Sequence, residues 1–283
     1  MKKIVLLTLA VLVAASLGCF YGKEASETAT ETYVADLYSE VQIETENGEI
    51  TSSVISDSLI TITLTRWASG VSESDARRHL DDIEVHVTKD TTGRVLRIFI
   101  DIPDVTTRNY GCDADITLPE SLYVDLETSN GKMKATGHQN GLRLATSNGR
   151  IDIAKTAGEA QLETSNGAID VDRHTGNIAG ETANGKIDAE VIMVKSAVDS
   201  ADTTYGYCRF KSSNGEITLA VPDSVGAQIR IETSNGDISV DPDLPTQGDY
   251  NSDDDIYESK MGDESGEIDL ETSNGDVSLK KLK

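Results

Sequence analysis

The sequence predicts an all-β protein: a single-chain parallel β-helix, or solenoid, with about 18 residues and two short strands per coil and one small helix in an N-terminal cap. Three observations predict this fold. A hexapeptide of the form TSNGxI occurs eight times, four consecutive copies are separated by a constant 18 residues, and apolar and polar residues alternate around each copy.

The repeated motif places Asn-Gly at the same point of every coil. The first copy is TENGEI at 45–50. The seven later copies supply the predicted structural turn residues Asn130, Gly131, Asn148, Gly149, Asn166, Gly167, Asn184, Gly185, Asn214, Gly215, Asn235, Gly236, Asn274 and Gly275. Because glycine adopts positive φ at little steric cost, we predict that each Asn-Gly forms a corner through such a glycine. A second corner near position fifteen often carries glycine too, as at Gly158 and Gly176.

Apolar residues occupy four positions of each coil. When Leu144 is position one, positions eight, ten and seventeen are also apolar in most copies, as Ile151, Ile153 and Ala160 show for this coil. Steps of two residues between apolar positions are typical of strands with one buried face. Each coil is therefore predicted to contain two short strands.

Two other β folds compete with this interpretation. Asn-Gly between apolar runs is also a strong hairpin signal, so an antiparallel meander is the alternative, although a meander has no reason to keep an 18-residue spacing. A left-handed hexapeptide helix would need apolar residues at position thirteen, where His138, Thr156 and His174 stand. We interpret the two histidines as turn residues, too far apart to share one zinc ion.

The first residues predict export. Two lysines, an uncharged apolar stretch and Gly18-Cys19 have the order of a signal peptide over 1–18, with Cys19 as the lipid attachment residue of a lipoprotein. Cleavage near Ala14 or Ala15, or an uncleaved anchor, are the alternatives. Residues 19–35 are rich in Ser, Thr and Glu, and such a composition predicts a flexible tether. The chain would then be an exported lipoprotein, anchored at the cell surface or in the periplasm.

The remaining residues, 36–283, form the predicted solenoid domain. Residues 56–118 are an atypical N-terminal cap with a short helix at 74–83, capped by Ser74, and 190–206 and 241–264 are insertions. Cys112 and Cys208 fall at inward positions several coils apart, which favours two buried thiols over a disulfide.

Together, the (E)TSNGxIxV repeats, the lipoprotein-like signal and the segment SESDARRHLDDIEVHV at 72–87 resemble the putative adhesin family of exported β-strand-repeat proteins. The resemblance covers roughly residues 35–283. It implies a right-handed parallel β-helix-like body and no established catalytic activity.

Charge restricts the partners. The formal net charge is −24, which repels nucleic acid and anionic lipid, so no nucleic-acid partner is expected. The second insertion contains Asp253, Asp254 and Asp255 and is a candidate weak Ca²⁺ site, although it lacks a calcium-loop motif and a solvated acidic loop is the simpler interpretation.

No catalytic, cofactor-binding or metal-binding constellation emerges. Asp152, Asp170 and Asp188 stack at outward position nine, where polysaccharide-cleaving β-helices carry acids. However, Lys132, Arg150 and Lys186 at position seven would neutralise them by cross-strand pairing. No zinc, phosphate-loop or hydrolase motif is present in the sequence.

These observations predict a non-catalytic, membrane-tethered solenoid that acts as a binding or scaffold protein of the cell envelope, with a protein or glycan as its ligand. A polysaccharide-binding or polysaccharide-cleaving β-helix is the first alternative. An envelope signalling or stress accessory is the second.

Overall fold

The computed structural model describes residues 23–103, 108–199, 202–251 and 255–283. The signal peptide and Cys19 lie outside these residues, as do Asp253 and Asp254. The described chain is predominantly β and divides into two compact units, Met1–Gly131 and Lys132–Lys283.

Unit 1 contains eight strands and one short helix. In chain order these are β1 Lys23–Val34, β2 Glu40–Asn47, β3 Ile50–Val54, β4 Leu59–Gly70, α1 Glu73–Arg78, β5 Glu84–Asp90, β6 Val95–Asp101, β7 Tyr110–Leu118 and β8 Tyr123–Asn130. Short 3-10 turns lie at Ala35–Leu37 and Leu80–Asp82.

These strands form two layers in unit 1. One layer has the order β1, β4, β7, β3, and the other has the order β5, β6, β2, β8. The β2–β3 coil pairs with its neighbours in parallel, whereas β1, β4 and β5 pair antiparallel. Apolar side chains such as Ile43, Ile62 and Ile98 are buried between the layers.

Unit 2 consists of fifteen described strands. They are β9 Met133–Thr136, β10 Leu142–Thr146, β11 Ile151–Thr164, β12 Ile169–Thr182, β13 Ile187–Ile192, β14 Lys195–Asp199, β15 Asp202–Tyr205, β16 Tyr207–Ser212, β17 Ile217–Val221, β18 Ala227–Asn235, β19 Ile238–Val240, β20 Thr246–Asn251, β21 Ile256–Met261, β22 Gly266–Asn274 and β23 Val277–Lys281.

The predicted parallel coils are confirmed in unit 2. Leu144, Leu162 and Gly180 align in parallel register, as do Ile151, Ile169 and Ile187. Strands β11 and β12 are long because each bends from one layer into the other. The bend contains positive-φ residues, Lys155 at 54° and Gly158 at 95° in β11. The parallel ladders exclude the antiparallel meander.

The coils do not all stack in chain order. In one layer β22 pairs in parallel with β16 on one side and β18 on the other, and in the other layer β23 lies between β17 and β19. The last coil of the chain is therefore inserted between the two coils that precede it. Similarly, β2 in unit 1 lies between β6 and β8.

Both predicted insertions contain antiparallel hairpins. In 190–206, β14 pairs with β15. In 241–264, β20 pairs with β21, and β21 also pairs with β18. The second hairpin thereby covers an edge of the sheet, which a flexible loop would leave open.

The predicted flexible tether is wrong from Lys23 onward. Residues Lys23–Val34 form β1, paired with β4 from Lys23 opposite Gly70 to Val34 opposite Leu59. A strand needs to bury only one face, and here Ala25 and Tyr33 supply the buried side chains. On the other face, Thr28 pairs with Thr65 and Thr30 with Thr63, with hydroxyl oxygens 3.1 and 3.0 Å apart.

The predicted helix is shorter and begins earlier. It spans Glu73–Arg78, and Ser72 rather than Ser74 is the N-cap, because the Ser72 Oγ accepts a 3.1 Å hydrogen bond from the Asp75 amide. A 3-10 turn replaces its predicted second half. Ala76, Leu80 and Ile83 are buried, as their shared face predicts.

Candidate functional site

The Asn-Gly turns form a structural ladder along the coils. In unit 2 each asparagine Nδ2 donates to the Oδ1 of the asparagine in the neighbouring coil, at 2.8–3.0 Å. The series runs Asn148, Asn166, Asn184, Asn214, Asn274, Asn235. In unit 1, Asn130 donates to Asn47 at 2.8 Å. The amide groups are thus used in holding coil to coil.

The glycines of these turns have a different role from the predicted one. The backbone of Gly131, Gly167, Gly185, Gly215, Gly236 and Gly275 lies outside the positive-φ region. What excludes a side chain is close approach: a Cβ on Gly167 would lie 1.7 Å from the carbonyl oxygen of Gly149 in the neighbouring coil. That carbonyl accepts a 2.9 Å hydrogen bond from the buried Thr164 hydroxyl. Positive φ occurs instead at the second corner, at Gly158 and Gly176.

The outward aspartates lie among basic side chains. Lys132 contacts Asp152 at 2.7 Å, and Arg150 contacts Asp152 at 2.5 Å and Asp170 at 2.8 Å. Burial opposes ionisation of Asp152, but the hydrogen bonds from Lys132 and Arg150 bring its pKa below the usual value. At Asp170 burial dominates and raises the pKa, with Arg150 and Lys186 offsetting part of the effect. The cross-strand pairing expected from position seven is present.

The two position-thirteen histidines are buried at bends of their coils, His138 between β9 and β10 and His174 between the positive-φ residues Arg173 and Gly176. His138 and His174 are both 0% exposed. The Nε2 of His174 lies 3.0 Å from the Asn177 carbonyl oxygen, and its Nδ1 lies 3.0 Å from the Thr156 hydroxyl. Nε2 must donate to the carbonyl, so the neutral imidazole accepts from Thr156 at Nδ1. Burial lowers the pKa of His174, and its hydrogen bonds offset part of that effect.

The cysteines are also buried and carry no disulfide. Cys112 and Cys208 are both free thiols. Burial raises the pKa of Cys112 to about 12 and raises that of Cys208 as well. Neither thiol is activated as a nucleophile.

A cleft in unit 1 is a candidate binding site among the described residues. It has a volume of about 460 Å³ and lies between β1 and β4 on one side and β5 and β6 on the other. Its apolar walls are formed by side chains from four strands: Ala29 of β1, Ile62 and Leu64 of β4, Val85 and Val87 of β5, and Ile98 of β6. Ile83, which directly precedes β5, completes the wall. Seven of the twelve lining residues are apolar and five are polar, and a concave site of this size with both kinds of side chain can hold a ligand.

Polar contacts border the cleft at either end of its walls. Arg66 donates to the Ile83 carbonyl at 3.2 Å and contacts Glu27 at 2.9 Å. Farther along, the Lys89 ammonium lies 4.8 Å from the centroid of the Tyr33 ring, so it joins β5 to β1.

Two carboxylates line the cleft, Glu84 at the start of β5 and Glu31 in the β1 wall. Glu31 lines the cavity and accepts a hydrogen bond from the Tyr33 hydroxyl. Burial and the Glu31 carboxylate both raise the pKa of Tyr33, so the phenol remains protonated and donates. No cation contacts Glu31 within ion-pair distance in the part of the chain that the structure describes.

Sequence analysis missed this cleft. Its β1 wall falls within the segment that was predicted to be a tether, and Ala29, Glu31 and Tyr33 carry no motif. Alternation of Ala25, Ala29 and Tyr33 on one face was the available signal, but the high content of Thr and Glu obscured it.

A family model described as Toastrack DUF4097 matches residues 26–280. The chain belongs to the Toastrack family. This assignment agrees with the β-solenoid-like repeat fold and with the resemblance drawn from the TSNGxI motif. The Toastrack match names no catalytic activity.

Several solved structures are similar to this chain at low identity and with TM-scores below 0.5. They include a putative adhesin from Bacteroides fragilis (14% identity, TM-score 0.42, 90% of this chain and 97% of that chain) and a putative cell adhesion protein from Clostridium sporogenes (13% identity, TM-score 0.33, 93% of this chain and 100% of that chain). A putative adhesin from Parabacteroides distasonis is similar at 11% identity and a TM-score of 0.37, over 92% of this chain and 98% of that chain. At these values the similarity to the solved structures carries no ligand or activity over to this Toastrack chain. Comparison with curated proteins finds no match.

The described residues contain neither a membrane-spanning helix nor a cluster of metal ligands. None of the helices in that part of the Toastrack chain has the length and apolar character needed to span a membrane. No cluster of three or more metal-ligating side chains occurs in the same residues.

Proposed function

We propose that this protein is a non-catalytic, membrane-tethered β-solenoid that serves as a binding or scaffold protein of the cell envelope. The observation that carries the proposal is the contrast between its two kinds of surface. The repeat uses its asparagine, threonine and aspartate side chains in contacts between coils, whereas the unit 1 cleft leaves half-buried apolar side chains such as Leu64 and the Glu31 carboxylate accessible to a ligand.

The tether is the part of the proposal that supplies the location. Gly18-Cys19 follows an apolar stretch in the order of a lipoprotein signal, and β1 begins only four residues after Cys19. A body anchored through Cys19 would therefore lie close to the membrane rather than on a long stalk.

Fractionation of a Cys19→Ser variant tests this location. We expect the wild-type protein to sediment with membranes and the variant to be soluble, with Ser16→Ala as a matched control that keeps the cysteine. Protease added to intact cells then distinguishes the cell surface, where wild type is digested, from an internal location, where it is protected. Equal membrane retention of wild type and Cys19→Ser would contradict a lipid tether.

Polysaccharide binding is a second candidate, favoured by a shallow groove on the outer face of unit 2. The groove has a volume of about 380 Å³ and is lined by Gln161, Ala179, Tyr207 and Arg209 among others. Arg209 stacks 4.8 Å from the Tyr207 ring centroid, and an aromatic ring beside amide and guanidinium donors suits a sugar. Incubation with cell-wall glycans distinguishes binding, which retains the glycan, from cleavage, which releases new reducing ends.

A further inference from the structure

The β5 wall of the unit 1 cleft differs from the other walls. The cavity is lined by alternate residues of β1 (Ala29, Glu31, Tyr33) and of β4 (Ile62, Leu64, Arg66), as expected where side chains face it. From β5, in contrast, four consecutive residues line it, Glu84, Val85, His86 and Val87. Consecutive residues of a strand reach one cavity only when the edge of the strand faces it, so the backbone of β5 is presented to the cleft.

This edge has no partner strand among the residues that the structure describes. Strand β5 pairs with β6 on one side, from Glu84 opposite Asp101 to Asp90 opposite Val95, and with no described strand on the other. In unit 2 the comparable edge is that of β18, and it is covered, because β21 pairs antiparallel with β18 from Ala227 to Glu232. An uncovered edge with free amide and carbonyl groups is a template for strand addition.

The dimensions of the cleft suit a short extended peptide. Its β5 wall runs from Glu84 towards Lys89, which at about 3.4 Å per residue spans about 17 Å, or about five residues of an added strand. Alternate side chains of such a strand would point at the apolar wall formed by Leu64, Ile62 and Ile98. The small side chain of Ala29 leaves the space that they would occupy.

Charge in the cleft selects a basic peptide. Arg66 is engaged by Glu27, and Lys89 lies over the Tyr33 ring, whereas the carboxylate of Glu31 receives only the neutral Tyr33 hydroxyl among the contacts of the described residues. A lysine or arginine on the inward face of the peptide would supply the missing cation. The net charge of −24 also favours a basic partner.

We propose that unit 1 binds an extended segment of a partner protein, about five residues long, that adds to the free edge of β5 and directs apolar side chains and one lysine or arginine towards Leu64 and Glu31. The inference deepens the proposed binding function and rests on it, but does not depend on the lipid tether. An acyl chain would fill the apolar space and leave the β5 backbone groups unpaired, and an anionic headgroup would be repelled by Glu31.

Fluorescence anisotropy with a labelled peptide tests the proposal, using the soluble Cys19→Ser chain. The probe is acetyl-TVTKTVT-amide, which places Val, Lys and Val on one face. We expect saturable binding that weakens at least tenfold when the peptide lysine becomes glutamate, and at least tenfold when alternate peptide amides are N-methylated. Undiminished binding of the N-methylated peptide, or no saturable binding of the probe, would overturn strand addition.

Substitutions in β1 locate the site. Ala29→Trp fills the cleft and should weaken probe binding at least tenfold, whereas Thr30→Trp, on the opposite face of the same strand, should change it less than twofold. Glu31→Lys should reverse the preference in favour of the glutamate peptide, which a merely destabilised protein would not do. Displacement of the probe by palmitate but not by unlabelled peptide would overturn the proposal in favour of a lipid site. Failure of these tests leaves the Cys19→Ser fractionation unaffected, so the two proposals fail separately.

Discussion

At the scale of single residues, threonine and glycine of the TSNG motif act together across coils. The Thr182 hydroxyl donates to the Gly167 carbonyl at 2.9 Å, and the Thr272 hydroxyl donates to the Gly215 carbonyl at 3.0 Å. The carbonyl can approach because the stacked residue has no side chain. The repeated sequence is therefore explained by contacts between neighbouring copies rather than by the conformation of each turn alone.

The close approach at Gly167 gives a direct test. Gly167→Ala would place a Cβ 1.7 Å from the Gly149 carbonyl oxygen, so the coils must separate locally. We expect a loss of at least about 2 kcal/mol in the free energy of unfolding, measured by denaturant titration. Ser165→Ala, at an exposed position of the same turn, is the control and should change stability by less than about 0.5 kcal/mol. Equal stability of the two variants would contradict the close-packing role of this glycine.

The buried His174 predicts a dependence of stability on pH. Because burial holds the pKa of the folded side chain below its ordinary value of 6.5, the unfolded chain binds a proton first as the pH falls. This contribution to stability is complete above about pH 7 and is lost below pH 6.5, with a slope of at most about 1.4 kcal/mol per pH unit.

Paired unfolding curves between pH 8 and pH 5 check this dependence. His174→Gln should lower stability at pH 8 but flatten the decline below pH 6.5 relative to wild type. His86→Gln is the control, because the His86 side chain is 53% exposed, and it should follow the wild-type curve. A wild-type decline that persists in His174→Gln would assign the effect to other groups.

At the scale of elements, basic side chains of both neighbouring strands pair with the acidic outward face of β22, the strand that lies out of chain order. The outward face of β22 carries Glu267, Asp269 and Glu271. On one side Arg209 contacts Glu267 at 2.6 Å and Lys211 contacts Glu271 at 3.0 Å, and on the other Arg230 lies 3.5 Å from Asp269.

Stacking in chain order would bring like charges together. Arg209 and Arg230 both lie opposite Asp269, so direct pairing of β16 with β18 would place the two arginines side by side. Each exposed ion pair stabilises the fold only slightly. The observed order separates the two arginines but places Glu232 opposite Glu271, so charge is one contribution to the order of these strands and does not determine it alone.

The inserted position of the last coil predicts slow hydrogen exchange near the C-terminus. The edge strand β19 leaves Ile238 and Val240 half-buried, whereas Val277 and Leu279 of β23 are 0% exposed. We therefore expect amides of β22 and β23 to exchange as slowly as those of β12, and more slowly than those of β19. Mass spectrometry of peptic fragments measures this difference. Faster exchange in β23 than in β19 would show that the terminal coil frays and would contradict the inserted order.

At the scale of the whole molecule, the repeat was predictable and its exceptions were not. Constant spacing and alternation identify the coils, their inward residues and the stacked asparagines, because each of these depends on local sequence. The order of β16, β22 and β18 depends on contacts between strands that are distant in sequence. The burial of His174 depends in part on such a contact, because Thr156 of the neighbouring coil and Asn177 satisfy both of its ring nitrogens.

The net charge of the whole chain predicts that its thermal stability depends on salt. A formal charge of −24 makes the acidic surface repel itself in the compact state, and exposed ion pairs such as Arg209–Glu267 offset little of that repulsion. Salt screens charges separated by more than about 10 Å at 0.1 M ionic strength. Raising NaCl from about 0.01 to 0.2 M at pH 7.5 should therefore raise the midpoint of thermal unfolding, measured by circular dichroism at constant protein concentration.

KCl should act equally, because screening depends on ionic strength rather than on the cation. A midpoint that falls with salt would mean that ion pairs between coils outweigh the repulsion, and a rise confined to CaCl₂ at matched ionic strength would indicate specific cation binding instead.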